Sequence, residues 1–179
     1  MVYAEAELFF VPDFVEIGRD KFSFNNVEFR SGKIINSHLN GANHFCFFFA
    51  TIGQSVSEKI KYYHRISDSL NAYLLHKLAG DVVELLVDYL QYNVFKSVEP
   101  AMIAGNRVSP GYCGWDVSEQ QKFFGLFPGR KIKIELTESS LMVPDKSVTG
   151  LWGYGKNFRK LDYNCTNCEA ELCYKKFRS

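Results

Sequence analysis

The sequence has no apolar run long enough to cross a bilayer and almost no net charge. Its longest apolar stretch, residues 45–50, is far shorter than the roughly 20 residues that a membrane-spanning helix needs. With 21 basic and 20 acidic residues the formal net charge is +1, too small for a field that would attract nucleic acid or an anionic membrane. The first ten residues contain Glu5 and Glu7 and no basic residue, unlike a secretory signal. We therefore expect a cytoplasmic protein with no nucleic-acid or membrane partner.

Cysteine is scarce and odd in number, with five residues in the chain. An odd count in a reducing compartment argues against a disulfide framework. Cys165, Cys168 and Cys173 cluster near the end of the sequence. Because thiolates bind soft metals, this spacing resembles part of a zinc or iron–sulfur ligand set. A fourth ligand is not evident, so metal ligands and surface thiols in a basic tail both remain open.

The sequence also lacks an internal repeat, a low-complexity tract and a linker. Its 179 residues suit one domain that is large enough to bury a core without staples. Hydrophobic residues make up 46% and charged residues 23%, which excludes a disordered or fibrous chain. We expect a single domain over residues 1–160 and a cysteine-containing tail over residues 161–179.

Hydrophobic patterning predicts strands first, helices next and strands again at the end. A tight turn is expected at Asn25-Asn26, between two short strands. The continuous aromatic run 44–51 is typical of a strand that is covered on both faces. Further strands are predicted at residues 4–11, 14–17, 21–24, 131–136, 140–143 and 147–152. This order of elements predicts an α+β fold with an antiparallel sheet.

Three helices are predicted between these strands. Ser55 and Glu58 have the spacing of a capping box, in which side chains satisfy free backbone groups at a helix start. Asp116 and Glu119 have the same spacing before a third helix.

The longest predicted helix begins near Asp68 or Ser69 and runs towards Phe95. Gly80 in its middle lowers helix propensity, so we expect a close packing contact there. Apolar residues recur every three to four positions and predict a broad buried face, formed by Leu70, Leu74, Leu75, Leu78, Val82, Leu85, Leu86 and Leu90.

The most informative segment runs from Arg107 to Tyr112. Arg107 offers a planar fork suited to a carboxylate or phosphate. Gly111 lets a backbone approach a ligand closely, and Tyr112 offers an aromatic face to a cation. Together these residues suit a small molecule with a carboxylate and a positive centre. A solvated arginine beside an ordinary Pro-Gly turn explains the same residues, and chemistry alone favours that simpler interpretation.

The segment resembles the Arg-x-x-x-Gly-Tyr motif of the activation domain of cobalamin-dependent methionine synthase. Downstream, Leu-Thr-Glu-Ser-Ser-Leu-Met-Val-Pro at 136–144 and Ser-Val-Thr-Gly at 147–150 are similar to that domain's second signature. The predicted helix from Ser118 to Phe127 lies in the corresponding place between them, and Ala-Thr-Ile-Gly at 50–53 also fits. The resemblance covers about residues 45–152. Two motifs in the same order and spacing are specific, whereas either alone is weak.

The resemblance implies a twisted antiparallel β-sheet flanked by helices. Domains of this family bind S-adenosylmethionine in a groove and cap the cobalamin held by another domain. Oxidised cobalamin is then reduced by one electron and methylated from S-adenosylmethionine. For this chain the resemblance implies a free-standing form that acts on a separate partner. That partner is expected to be a corrinoid-binding methionine synthase or another corrinoid protein, with a flavodoxin or ferredoxin as electron donor.

The resemblance also implies roles for individual residues. Arg107 is expected to hold the methionyl carboxylate, with Ser109 and Pro110 completing the binding segment. Gly111 and Tyr112 are expected beside the ligand, facing the corrin, which makes Tyr112 the residue assigned to the reacting centre. Because cobalt is the nucleophile in this chemistry, no protein nucleophile is needed.

An acid on a helix contacts the ligand in the family, and Glu84 is the match by pattern. An ordinary exposed helix acid explains Glu84 equally well. A further family acid, six residues before the arginine, corresponds here to Ala101. That contact is therefore lost or replaced, with Glu99 as a candidate.

Other residues carry weaker signals. Thr137-Glu138-Ser139 is polar within a predicted strand region, which fits support of the ligand groove and a solvated strand face equally well. Met142, Trp115 and Trp152 are candidates for contact with a ligand or corrin, although a core role is commoner. The four histidines show no ligand spacing and no cobalt-ligand motif, so none is expected to bind cobalt: His38, His44, His64 and His76.

Two other functions remain open at this point. One is a non-catalytic module that senses S-adenosylmethionine or docks on a corrinoid protein, which Ala101 and the added cysteines favour. The other is a metal or redox accessory protein built around the cysteines of the tail.

Overall fold

The computed structural model describes residues 5–12, 16–97 and 102–162. Contacts between residues divide this part of the chain into two compact units. The first unit contains residues 5–8, 48–97 and 129–149. The second unit contains residues 9–12, 16–47, 102–128 and 150–162. Three strands contribute residues to both units, at Glu5–Pro12, His44–Thr51 and Ser147–Gly155.

The described residues begin with four strands, end with three strands and contain the helices between them. The helices are α1 (Gly32–Leu39), α2 (Gln54–Arg65), α3 (Ser69–Ser97) and α4 (Gln120–Leu126), with a 3-10 turn at Val117–Glu119. The strands are β1 (Glu5–Pro12), β2 (Glu16–Ile17), β3 (Phe22–Phe24), β4 (Val27–Phe29), β5 (His44–Thr51), β6 (Ile103–Ala104), β7 (Glu135–Leu136), β8 (Met142–Val143) and β9 (Ser147–Gly155).

These strands form three sheets within the described residues. The largest has the strand order β1-β5-β9-β6, the second has the order β2-β3-β4, and β7 pairs with β8. The pairs β2–β3, β3–β4, β6–β9 and β7–β8 are antiparallel. A mixture of helices and antiparallel sheets confirms the predicted α+β fold class.

The turn between β3 and β4 follows directly from its sequence. Asn25 and Asn26 have φ angles of 49° and 63°, the left-handed conformation that asparagine tolerates and that a two-residue hairpin turn requires. The turn places Phe22 opposite Phe29, and their rings stack 4.7 Å apart. The predicted tight turn is therefore confirmed.

Aromatic rings fill the core of the second unit. Trp115 is buried and meets Phe22 and Phe29 edge-on, with ring centroids 5.6 and 6.2 Å apart. Phe123 of α4 lies 5.5 Å from Trp115 and 5.2 Å from Phe47 of β5. Aromatic pairs in these geometries add to the large area that each ring buries. The core therefore ties Trp115, which follows the Arg107–Tyr112 segment, to strands and a helix.

The core of the first unit lies between α2 and α3. Ile52, Val56 and Ile60 pack against Ala79 and Val83 of α3. The small side chain of Ala79 allows the two helices to approach closely, and the apolar cluster excludes water from between them. The predicted bounds of β5 and α3 agree closely with the structure.

The predicted buried face of α3 is largely wrong, although Leu75 of that face does pack against the core. Leu70, Leu78 and Leu85 are 68%, 61% and 63% exposed. The residues that α3 buries are instead small or β-branched: Ala72, Ala79, Val83 and Val87. The helix carries apolar residues on two faces, and α2 covers the face with the smaller side chains because it allows closer packing.

One further prediction about helices is wrong, and one helix was not predicted. A Cβ atom added to Gly80 would meet no atom within 4 Å, so no close packing contact explains that glycine. Residues 32–39 form α1, in a region where the sequence predicted no helix. The helix α1 spans only eight residues, which is shorter than the window of roughly 11 to 18 residues over which helical periodicity is read.

Several predicted boundaries also change. The N-cap of α2 is Gly53, without a side-chain capping bond, so Ser55 and Glu58 do not form a capping box at the helix start. Asp116 does cap the 3-10 turn, because its carboxylate accepts a hydrogen bond of 2.8 Å from the Ser118 N–H. The strand predicted at 131–136 shortens to β7, the one at 140–143 shortens to β8, and the last strand continues through its glycines to residue 155.

Candidate functional site

Arg107 lies in a bulge beside strand β9. Ala104 of β6 pairs with Tyr154, whereas Val108 pairs with Leu151. The stretch from 104 to 108 therefore contains one residue more than the stretch of β9 opposite, and Asn106 and Arg107 together face the position of Trp152. A β-bulge of this kind bends the strand locally and re-aims the side chains at the extra residue. Neither hydrophobic pattern nor residue spacing indicated this bulge in the sequence.

Backbone hydrogen bonds fix the bulge on both sides. Val108 and Leu151 exchange two bonds of 2.9 Å, N–H of each to the carbonyl of the other. On the other side, the Gly105 N–H donates to the Gly153 carbonyl over 2.8 Å. Arg107 thus stands between two points of attachment to the sheet, with its side chain half-buried.

The neighbouring Asn106 is held by two hydrogen bonds. Its side-chain Nδ2 donates to the Leu161 carbonyl over 2.6 Å and lies 3.1 Å from Nδ1 of the buried His38. Since one amide hydrogen points to a carbonyl and the other to the imidazole, His38 Nδ1 must accept and the ring must be neutral. Burial also lowers the pKa of His38 from its ordinary value of 6.5. Sequence reasoning did not single out either residue as part of the structure around Arg107.

Residues 107–112, here called the Arg107–Tyr112 loop, lead into a left-handed turn. Gly111, Cys113 and Gly114 have φ angles of 91°, 52° and 80°. The Gly111 N–H donates to the Trp115 carbonyl over 2.7 Å, and the Trp115 N–H donates to the Tyr112 carbonyl over 2.9 Å. The predicted Gly-rich turn is confirmed, and its backbone bonds make it a defined shape.

The turn displays one aromatic ring at the surface. Tyr112 is 36% exposed, while Pro110 before it and Trp115 after it are buried. The loop is therefore anchored at Val108 by the sheet and at Trp115 by the aromatic core, with an arginine and a tyrosine between the anchors. Such a loop can offer a cation and a π-face in fixed positions at little cost in conformational entropy.

Other predicted residues are placed as follows. Glu84 is exposed on α3, in the first unit, whereas the Arg107–Tyr112 loop is in the second. Trp115 and Trp152 are fully buried, which assigns both rings to the interior and not to a ligand surface.

The residues described include no cluster of three or more His, Cys, Asp or Glu that suits a metal ion. Cys165, Cys168 and Cys173 lie outside the described residues.

Thr137-Glu138-Ser139 forms the turn between β7 and β8 rather than part of a strand. The Thr137 hydroxyl accepts a hydrogen bond of 3.0 Å from the Leu141 N–H, and the Thr137 N–H donates 2.9 Å to the Leu141 carbonyl. Glu138 and Ser139 are exposed. The turn satisfies its own polar groups, so this part of the second signature has a local structural explanation.

The remaining signature residues meet in the first unit. Ser147 Oγ lies 2.8 Å from Thr51 Oγ1, and the Ile52 N–H donates to the Lys146 carbonyl over 3.1 Å. These bonds join residues 50–53 to residues 147–150. The buried Lys146 donates to Nδ1 of His76 on α3 over 3.0 Å. Hydrogen bonds therefore join the two motifs to each other, which sequence spacing alone did not show.

The part of the chain that the structure describes contains no helix that is both long and apolar enough to cross a membrane. Even α3, at 29 residues, does not meet this condition, because acids and lysines interrupt its apolar positions.

Comparisons with known proteins point in one direction. Residues 31–175 match the family described as "Vitamin B12 dependent methionine synthase, activation domain". A solved structure, "Crystal Structure of the MetH Reactivation Domain bound to AdoHcy", is similar at 19% identity and a TM-score of 0.54. The similarity covers 73% of this chain and 44% of that one, so the present chain spans less than half of its structural relative. Comparison with curated proteins gives no match.

The matched family region is more than half of the chain and contains the bulge, the Arg107–Tyr112 loop and both signatures. The structural relative has the same fold. This chain belongs to the family of vitamin B12 dependent methionine synthase activation domains.

Proposed function

We propose that this chain binds S-adenosylmethionine with the Arg107–Tyr112 loop and supports the reductive methylation of cobalamin held by a separate corrinoid protein. A corrinoid-binding methionine synthase is the first candidate partner, with a flavodoxin- or ferredoxin-type electron donor in the cytoplasm. The observation that carries the proposal is a half-buried arginine and an exposed tyrosine, held on one loop between two rigid anchors. The structural relative is bound to AdoHcy, the demethylated product of S-adenosylmethionine.

Arg107 suits the carboxylate of the methionyl group. Its guanidinium is planar and offers paired N–H donors, which match two carboxylate oxygens. The bulge places Arg107 between the backbone bonds at Gly105 and Val108, which attach the main chain on both sides of it to β9. A site whose main chain is held before the ligand arrives loses less free energy to ordering on binding.

Tyr112 suits the positive sulfur of S-adenosylmethionine. An aromatic face stabilises a nearby cation by roughly 0.5 to 2 kcal/mol, with the larger values where water is excluded. Gly111 before it has no side chain and lets the ligand approach the backbone. Ser109 and Pro110 are proposed to complete the wall of the site.

Bound S-adenosylmethionine supplies the methyl group. The cobalamin of the partner accepts this methyl group, together with one electron from the electron donor. The residues of this chain need only bind the ligand, orient it and exclude water. Holding two reactants in line is itself a large catalytic contribution. None of these three roles requires an acid, base or nucleophile from the chain.

Isothermal titration with S-adenosylmethionine tests the binding half of the proposal. We expect wild type to bind and Arg107→Ala to lose at least about tenfold in affinity, since a charged hydrogen-bonded contact is worth roughly 1.5 to 3 kcal/mol. Arg107→Lys keeps the charge but not the fork and should fall between the two. Arg19→Ala removes an exposed arginine of the same unit and should bind as wild type. A wild type without affinity would contradict the proposal.

The methylation half needs the partner. The protein is mixed with a cobalamin-binding methionine synthase fragment under reducing conditions, and the cob(II)alamin absorption is followed after addition of S-adenosylmethionine. Conversion that depends on Arg107 supports the proposed activity. Binding without any conversion would instead favour a sensor or docking module.

The metal proposal for Cys165, Cys168 and Cys173 is independent of this site. Metal analysis of the purified protein, beside a variant with all three cysteines changed to serine, decides it. Stoichiometric zinc or iron in wild type but not in the variant supports a metal site. If neither protein contains metal, the three cysteines are surface thiols.

A further inference from the structure

The uncovered face of α3 carries a continuous apolar stripe. Its members recur every three or four residues over six turns, so they lie along one side of the helix. Each is between 46% and 68% exposed: Leu70, Leu74, Leu78, Val82, Leu85, Tyr89 and Tyr92. We call these seven residues the α3 stripe. Singly exposed apolar residues are ordinary, whereas a contiguous patch of this length marks an interaction site.

We propose that the α3 stripe is the interface of a homodimer in which the α3 helices of two copies pack antiparallel. The proposal is independent of S-adenosylmethionine binding and concerns the first unit alone. It rests on the area of this surface, on its symmetry and on the charges along it.

The area agrees with a dimer of ordinary size. At roughly 100 Å² of exposed surface for each of seven large side chains, the stripe presents roughly 700 Å², close to the roughly 800 Å² that each partner buries in a standard interface. The formal net charge of +1 adds almost no repulsion between copies.

The order of residues suits antiparallel self-pairing. A two-fold axis that passes near residues 81–82 places Leu78 opposite Leu85 of the other copy. The same axis places Leu74 opposite Tyr89. A two-fold interface must be self-complementary, and this arrangement gives Leu74, Leu78, Leu85 and Tyr89 apolar partners, while the exposed Asp81 of each copy lies beside the axis, opposite Val82.

Charge along α3 favours the antiparallel direction. Lys77 precedes the axis, whereas Glu84 and Asp88 follow it, with Lys96 near the end of the helix. In the antiparallel arrangement Lys77 would lie between Glu84 and Asp88 of the second copy, at the border of the stripe. Parallel packing would instead place Lys77 beside Lys77, and Glu84 and Asp88 beside the same acids of the second copy.

Sedimentation velocity of the full chain across a wide concentration range tests the proposal. Wild type should be dimeric at micromolar concentration. Leu78→Lys or Leu85→Lys should weaken the dimer by at least about tenfold, because a charge would be buried at the centre of the interface. Both positions are exposed in one copy, so the fold should be unchanged by circular dichroism. Leu141→Lys, at a leucine 58% exposed outside α3, is the matched control and should dimerise as wild type.

Charge reversal tests the direction of packing. Lys77→Glu and Asp88→Lys should each weaken the dimer, and the double variant should recover part of the loss if the helices are antiparallel. A wild type that is monomeric at every concentration would overturn the proposal and leave the stripe to a different protein. So would a dimer that Leu78→Lys and Leu85→Lys do not weaken. Titration of Leu78→Lys with S-adenosylmethionine separates this proposal from the proposed function, since its ligand affinity should be unchanged.

Discussion

Val108 and Leu151 exchange two backbone hydrogen bonds of 2.9 Å, one residue out of step with the pairing of Ala104 and Tyr154. That single extra residue is what turns a plain edge of the sheet into a bulge at Asn106 and Arg107. The bulge places Arg107 between two attachments of the main chain to β9. The features that hold this region in place can each be tested by substitution.

Gly111→Ala should weaken ligand binding by distorting the loop. The φ angle of 91° at Gly111 is in the left-handed region, where an added Cβ costs about 1 to 2 kcal/mol. Space is not the obstacle, since the nearest atoms to that Cβ belong to Val117 at 3.9 Å and beyond. Thermal unfolding and S-adenosylmethionine titration should both show a loss. Gly129→Ala, at a glycine with open space, is the control and should show neither.

Gly153→Ala should destabilise the protein by about 1 to 3 kcal/mol, the usual cost of overpacking a core. Its Cβ would lie 2.5 Å from the Cβ of Ala42 and 3.4 Å from the Phe45 ring. Chemical denaturation measures the effect. Stability equal to wild type would show that β9 shifts freely and that the close approach is unimportant.

Gly80→Ala should stabilise the protein, whereas Gly153→Ala should destabilise it. The added methyl meets no atom within 4 Å, and alanine is favoured over glycine inside a helix by about 1 kcal/mol. We expect a higher midpoint of denaturation than wild type. A clear loss of stability would revive the packing role that the sequence predicted for Gly80.

Stability should fall as pH falls below about 6.5, in part because of His38. Its folded pKa lies below the ordinary value of 6.5, so the unfolded state binds the proton more readily. The stabilisation is complete above that value and is lost as pH falls towards the folded pKa. Urea denaturation at pH 7.5 and at lower pH should show a smaller pH effect in His38→Gln than in wild type. His64→Gln changes an exposed histidine and should follow wild type, and an equal slope in all three would refute the role of His38.

Cys46 should resist alkylation while the protein is folded. The residue is fully buried, and burial raises the pKa of its thiol to about 12, so almost no thiolate forms at pH 8. Iodoacetamide labelling read by mass spectrometry should modify Cys46 only after denaturant is added. Cys113 lies in the turn beside Tyr112, and S-adenosylmethionine should slow its labelling if the proposed site is correct.

Much of the fold could be read from the sequence because the relevant signals are local. The continuous aromatic run identified β5, and two consecutive asparagines identified the turn between β3 and β4. The Gly-rich segment after Pro110 was predicted as a turn for the same reason, since glycine tolerates the φ angles found there. Each of these signals depends on residues a few positions apart.

The candidate site was only partly predictable. Its residue types were visible in the Arg107–Tyr112 loop, because chemistry and motif lie in one short stretch. The residues that hold this stretch in place were not visible in the sequence. Asn106 reaches His38, 68 residues away, and Leu151 lies far along the chain. No pattern within a window of sequence records such contacts.

The sequence by itself determined where β5 and α3 lie, the conformation of the asparagine turn and the residue types offered at the loop. Backbone preference and hydrophobic period are properties of neighbouring residues, so these features need no knowledge of the rest of the chain. Only the tertiary structure decided that α2 covers the face of α3 that carries Ala79 and Val83 and leaves the leucine stripe exposed. It alone placed the bulge at Arg107. Burial and strand register depend on which distant surface arrives opposite, and a helix with two apolar faces or a strand with one extra residue does not encode that choice locally.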